Sequence, residues 1–214
     1  QVKTFQVSTD SLYGVSFAPD GKSVAFGGAD KVVRRINIED GKQLLDFRPD
    51  QGIIRLHEQR VVILSAAAMG LLRKELVDTL GADTTRRMLL RLGFADGYHD
   101  AVNLRERSNW RSPADGLRAG ATLHGLEGIV RTDVRRVDYD PETGRFEEDV
   151  TWHDSYEAEQ HLHHYGKSTA PVCWSLVGYS SGFVSACLGK EVYFREQACS
   201  GQGAGHWCGI GPAA

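Results

Sequence analysis

Four side chains toward the C-terminal end have the types that hold a metal ion. Cys199 and Cys208 flank a glycine-rich loop, CSGQGAGHWC, Glu196 stands three residues before the first of them, and Cys173 lies further upstream. Thiolates and a carboxylate in a closed set of four suit zinc in a structural role, because a tetrahedral ion held this way has no open position for water. Glycines allow such a loop to wrap an ion closely, having no Cβ to collide with it. The sequence contains no C-x-x-C pair, so the spacing also admits buried thiols packed as small hydrophobes. His206, two residues before Cys208, is a rival ligand, and Cys187, on an apolar helix face, is assigned to packing. All four cysteines fall in the last quarter of the 214 residues. A secreted disulfide framework is usually denser and more evenly spread, so metal binding in a reducing cytoplasm is the expectation.

Other chemistry-bearing patterns point to ordinary surface. His161, His163 and His164, with His153 nearby, belong to a helical stretch whose Glu157 and Gln160 mark a solvated face. Gly201-x-Gly203 follows no strand-to-helix unit, and no G-x-x-x-x-G-K-[ST] occurs, so phosphate cradling is not indicated. The formal net charge is −3, from 25 basic and 28 acidic residues mixed along the chain. Pairs such as Arg86-Arg87 and Arg135-Arg136 read as solvated charge, and no direct nucleic-acid partner is expected. The apolar run from Val61 to Leu72 is broken by Ser65 and Gly70 and is too short to span a bilayer. No signal-peptide order is present at the start, so a cytoplasmic protein with no membrane partner is expected.

The elements that must carry these residues change in texture along the chain. Residues 1–43 alternate apolar and polar positions around Asp20-Gly21, Gly27-Gly28 and Asp40-Gly41, the pattern of short antiparallel strands and tight hairpins. Over residues 11–43 the order of strand, turn and G-G-x-D-K-x-V-R resembles one blade of a WD-repeat propeller, and one blade cannot close a propeller. From Leu44 a short hairpin leads into a helix ending at Gly81, then a helix over Asp83–Leu92 and another over Pro113–Leu126, with proline in its first turn. Strands follow at Ile129–Tyr139 and Arg145–Trp152, then helices at Asp154–Tyr165 and Val172–Leu188 and a strand at Glu191–Ala198. Helices beside an antiparallel sheet define an α+β domain over 44–214, with the β segment 1–43 appended, truncated or fused.

Several of these segments, LHGLEGIVR (123–131), TWHDSYEAEQHL (151–162), PVCWSLVGYSSGFVSACLGKEVYFREQAC (171–199) and the cysteine loop after them, occur in an order that resembles the sensor domain of XylR/DmpR-type activators. VVILSAAAMGLLRKELVDTLG upstream fits the same family, so the resemblance runs from about Leu44 to Ile210. It implies a non-enzymatic domain whose helices and sheet enclose an effector pocket, with a C-terminal lobe stapled by structural zinc on Cys173, Glu196, Cys199 and Cys208. The loop before Cys208 looks one residue longer than the family's, through Gly203-Ala204-Gly205. It also implies that His124 and Trp152 contact the hydroxyl of phenol or a small substituted phenol, with Leu117, Val134, Val150, Val177 and Phe194 as walls. Indole donates, imidazole donates or accepts, and both rings offer apolar surface. The resemblance further implies a homodimer, with the apolar hairpin around Ile53 to Leu64 as part of its surface. Its output would pass to the ATPase and DNA-binding domains of a parent sigma-54-dependent activator, which these residues do not contain. Two other classes are a 4-vinyl reductase-like enzyme, from the wider superfamily, and an interaction scaffold built on the WD-like blade.

Overall fold

The structure is a computed structural model that describes residues 3–41, 43–56, 59–107, 110, 112–140, 142–143, 145–203 and 207–212, with backbone alone at 107, 113, 114 and 207–212. Contacts divide the chain into two compact units, one reaching Leu64 and one starting at Ser65.

The first unit is an antiparallel meander of six strands in sequence order: β1 (Leu12–Phe17), β2 (Ser23–Gly28), β3 (Val33–Asn37), β4 (Gln43–Arg48), β5 (Ile53–Leu56) and β6 (Gln59–Val61). Gly21 and Gly41 follow aspartates with left-handed φ of 66° and 73°, the backbone that lets Asp-Gly pairs reverse the chain. The hairpin expected to open the second domain continues this sheet instead, since Leu45 pairs with Arg35 on one side and Leu56 on the other. A small ribbon has little apolar area to bury, and added strands supply it with neighbours.

The second unit contains α1 (Ala66–Leu80), α2 (Ala82–Arg107), α3 (Pro113–Leu126), β7 (Arg131–Tyr139), β8 (Phe146–His153), α4 (Tyr156–Tyr165), α5 (Trp174–Leu188), β9 (Phe194–Ala198) and β10 (Trp207–Pro212). Its antiparallel sheet has the order β7-β8-β10-β9, giving a mixed fold of helices with an antiparallel sheet. Helix starts follow from local chemistry. Ser65, Ser112 and Ser155 each accept a backbone N–H three residues on, capping α1, α3 and α4. No side chain at Cys173 caps α5. The Glu157 carboxylate does so from α4, accepting Leu176 N–H at 3.1 Å while Arg73 of α1 donates to it at 2.9 Å. The Arg73 guanidinium also lies 4.1 Å from the centre of the Trp174 ring, so one buried ion pair ties α1, α4 and α5 together.

α2 does not end at Leu92 but continues through Gly93 and Gly97. Each interior glycine costs a helix about 1 kcal/mol relative to alanine, and the cost is offset by what the missing Cβ allows. Cβ atoms at Gly93 and Gly97 would strike the α5 backbone at Ser175 and Tyr179, and Cβ atoms at Gly178 and Gly182 would strike the α2 backbone at Leu90 and Phe94. Two four-residue glycine spacings therefore seat α2 and α5 backbone to backbone. In β7, a register shift between Val134 and Arg136 moves the inward positions from Thr132 and Val134 to Val137 and leaves Arg135 and Arg136 exposed.

Candidate functional site

Where α3, β7, β8 and α5 meet, they enclose a cavity of about 40 Å³. α3 contributes Leu117, Gly120, Ala121 and His124, and β7 contributes Thr132 and Val134. β8 adds Glu148, Val150 and Trp152, and α5 adds Tyr179, Ser180, Phe183 and Val184. Strand alternation accounts for the β8 set, since positions 148, 150 and 152 share one face. Among the expected residues, His124, Trp152, Leu117, Val134 and Val150 thus meet at one cavity. Val177 and Phe194 pack in the same core cluster but line a larger groove of about 1010 Å³ with Leu90, Phe94, Trp174 and Tyr193. The reason is register: Val177 lies about one helical turn before Ser180, and Phe194 lies on β9, separated from β8 by β10.

Trp152 is 1 % exposed and His124 3 %. The imidazole stacks on Tyr179, ring centres 3.9 Å apart, and Tyr179 Oη donates to Asp100 Oδ2 at 3.0 Å. Burial pushes the His124 pKa down to about 3, so the ring is neutral. Among the described residues, neither His124 Nε2 nor Thr132 Oγ1 has a hydrogen-bond partner. A cavity with apolar walls and buried polar atoms of this kind suits an apolar ligand with one small polar group. Thr132, Glu148, Tyr179 and Phe183 were not apparent as wall residues in the sequence. The shared parity of Glu148 with Val150 and Trp152 was the signal that could have found one of them.

The second cluster lies at the α5 N-terminus. Cys173 and Cys199 are fully buried and Glu196 is nearly so, and their ligand atoms all lie within 4.8 Å of one another. The two Sγ atoms are 4.0 Å apart, close to the roughly 3.8 Å that tetrahedral geometry gives two zinc-bound sulfurs with bonds of about 2.3 Å. Glu196 Oε2 accepts Cys173 N–H at 3.1 Å, and Glu196 Oε1 is buried with no hydrogen-bond partner among the described residues. Burial, chiefly, raises the Glu196 pKa to about 8. An orphaned carboxylate oxygen beside two thiols fits a thiophilic cation. A Cβ at Gly201 would lie 3.3 Å from Cys199 Sγ, so the loop must turn on a glycine there. Cys208 lies in β10 opposite Trp152, next to Gly209, which pairs with Ala198; its side chain falls outside the described residues, as does His206. Among the described residues, the histidines of α4 join no metal-binding group, and no helix is long and apolar enough to cross a membrane.

Comparison with known proteins matches residues 40–140 to a family described as activator of aromatic catabolism and residues 152–208 to the 4-vinyl reductase domain. The chain is 34 % identical over 183 residues to the phenol regulator MopR of Acinetobacter guillouiae, with 82 % of this chain and 32 % of MopR covered. It is 30 % identical over 167 residues to the transcriptional regulatory protein XylR of Pseudomonas putida, with 78 % and 30 % covered. The chain therefore spans about a third of the length of these relatives. Among solved structures, it resembles the phenol-responsive sensory domain of the transcription activator PoxR, crystallised with phenol, at a TM-score of 0.75, with 39 % identity. That likeness covers 79 % of this chain and 84 % of the PoxR domain, and with the two matched family regions it places the chain in the sensory-domain family of the activators of aromatic catabolism.

Proposed function

We propose that the unit from Ser65 onward is the effector-sensing module of a transcription activator, and that its ligand is phenol or a small substituted phenol held between α3, β7, β8 and α5. The observation that carries this reading is the neutral, buried His124, whose Nε2 has no partner among the described residues at the wall of an apolar cavity. Imidazole can accept or donate and the Trp152 indole donates, so together they meet the needs of one hydroxyl. MopR is a phenol regulator and the PoxR domain was crystallised with phenol, which supports the same ligand. The matched relatives are regulators, so the reductase-like and scaffold alternatives are not favoured.

A dry cavity that takes up benzene measures about 150 Å³, against about 40 Å³ here. The walls therefore part as a ring binds, and Val177 and Phe194 join the pocket as it widens. Motion of α5 is then how binding is felt outside the cavity, and relief of a following ATPase domain is its output. Cys173, Glu196 and Cys199, with Cys208 as the fourth ligand, hold a structural zinc ion, which neutralises the buried anions and ties the start of α5 to the sheet. Thiolates of this kind persist in a reducing cytoplasm. The module acts as a homodimer, and part of its surface is the hairpin ending at Val62, Ile63 and Leu64, which are 72, 78 and 60 % exposed.

Calorimetric titration with phenol and toluene, on the chain and on His124→Phe, tests the reading. An unpaired buried group costs about 1–3 kcal/mol, so phenol should bind about tenfold to a hundredfold more tightly than toluene. His124→Phe should narrow or invert that ratio. Equal losses for the two ligands would mean that His124 shapes the cavity without reading the hydroxyl.

A further inference from the structure

Glu148 breaks the pattern of the face it occupies. It lies on β8 with the parity of Val150 and Trp152, is 8 % exposed and lines the same cavity as His124. The other buried glutamate of this unit outside the thiol cluster, Glu157, is fully engaged, by Arg73 and by the α5 N-terminus. Glu148 forms neither an ion pair nor a side-chain hydrogen bond with any described residue, and desolvation alone raises its pKa, to about 7. A buried carboxyl without partners is costly and adds nothing to packing that an apolar side chain would not.

Its place in the cavity gives the cost a use. Thr132 pairs with Trp152 and Val137 pairs with Glu148, so Thr132, His124 and Trp152 cluster toward one end of the cavity while Glu148 lies four residues further along β8. At 3.3 Å per residue, the Cα atoms of Glu148 and Trp152 are about 13 Å apart along the strand. A ring with one hydroxyl satisfies the first end and leaves Glu148 facing apolar surface.

We propose that the effector this chain is built for is a phenol carrying a second hydrogen-bond donor, a hydroxyl or amine opposite the phenolic group, and that Glu148 selects it. This rests on reading the cavity as the effector site. Ortho-substituted donors fall short of Glu148, whereas a para donor, on the ring or on a one-carbon arm, points along β8 toward it.

The test is calorimetry on the full chain with phenol, 4-ethylphenol and 4-(hydroxymethyl)phenol, the last two nearly equal in shape and differing by a terminal methyl or hydroxyl. Hydrogen bonds to charged groups rank among the stronger ones, so the alcohol should bind about tenfold or more tightly than 4-ethylphenol. Glu148→Met should abolish or invert that preference while phenol still binds, and Glu148→Gln, which keeps an acceptor oxygen, should retain part of it. Equal affinities in the unmodified chain, or a preference that survives Glu148→Met, overturn the inference while phenol binding leaves the sensor reading standing. If none of the three ligands binds, the effector site itself is refuted and the inference falls with it.

Discussion

Replacing Gly182 by alanine should destabilise the second unit, although in an ordinary helix interior the same change stabilises by about 0.8–1.0 kcal/mol. A Cβ at position 182 overlaps the carbonyl oxygen of Phe94 and comes within 2.8 and 2.9 Å of the Phe94 C and Cα atoms. These are backbone atoms of α2, which no rotamer change can move aside, so α2 and α5 must separate. Overpacking of a tight core costs about 1–3 kcal/mol. Here the separation also loosens the seats of Gly93, Gly97 and Gly178 on the same crossing, which places the cost toward the upper end. Subtracting the helix gain leaves a net loss of about 1–2 kcal/mol, or roughly 2–8 °C in melting temperature for a domain of this size. Gly125→Ala is the control. It lies in the last turn of α3 with nothing within 4 Å of an added Cβ, so it should gain up to about 1 kcal/mol. Thermal and urea unfolding of both variants beside the unmodified chain measures the two signs. If Gly182→Ala matched or exceeded the unmodified chain, the backbone-to-backbone seating of α2 on α5 would be wrong.

Cys199→Ala should lose bound zinc and lower the melting temperature markedly, since apparent zinc binding in small structural sites amounts to about 10–16 kcal/mol. Elemental analysis should find close to one zinc per chain, and a metal-free chain that melts unchanged would refute the assignment. For pH, burial holds His124 down from 6.5 to about 3, so the unfolded chain takes up a proton below 6.5 that the folded chain refuses, and stability falls with pH by about 1.4 kcal/mol per pH unit. Glu148 is raised from 4.5 to about 7 and opposes this, because between those values the folded chain keeps a proton that the unfolded chain releases. Relative to the unmodified chain, His124→Phe should therefore gain urea resistance from pH 7 to pH 5 and Glu148→Met should lose it. Parallel pH profiles for all three would contradict the burial of both groups.

The parts of the fold legible in the sequence were those set by local chemistry. α3 shows itself through Ser112 and Pro113 at its start, and the ends of α1 and α4 through Gly81 and Gly166. The turn between β7 and β8 is held by Asp140, which accepts from Glu142 N–H and Thr143 Oγ1. Where the reading fell short, remote neighbours outweighed local propensity. Gly93 reads as a stop until α5 presents Gly178 and Gly182 at the same four-residue spacing. WCGIGP, with two glycines and a proline, has weak strand propensity, yet β10 forms because β8 and β9 pair with it on both sides. β4 to β6 likewise take their place from pairing partners rather than from the change in texture at Leu44. The thiol cluster combines both kinds of information: its residue types were visible, but Cys173 meets Glu196 only because the chain returns after α5 as a strand. Its position at the start of α5, whose other end reaches the cavity wall through Phe183 and Val184, means that whatever fixes that end also fixes one wall of the cavity. Loss of metal at Cys173 and loss of the glycine seat at Gly182 should therefore both weaken ligand binding without touching the ligand, because each releases the same helix.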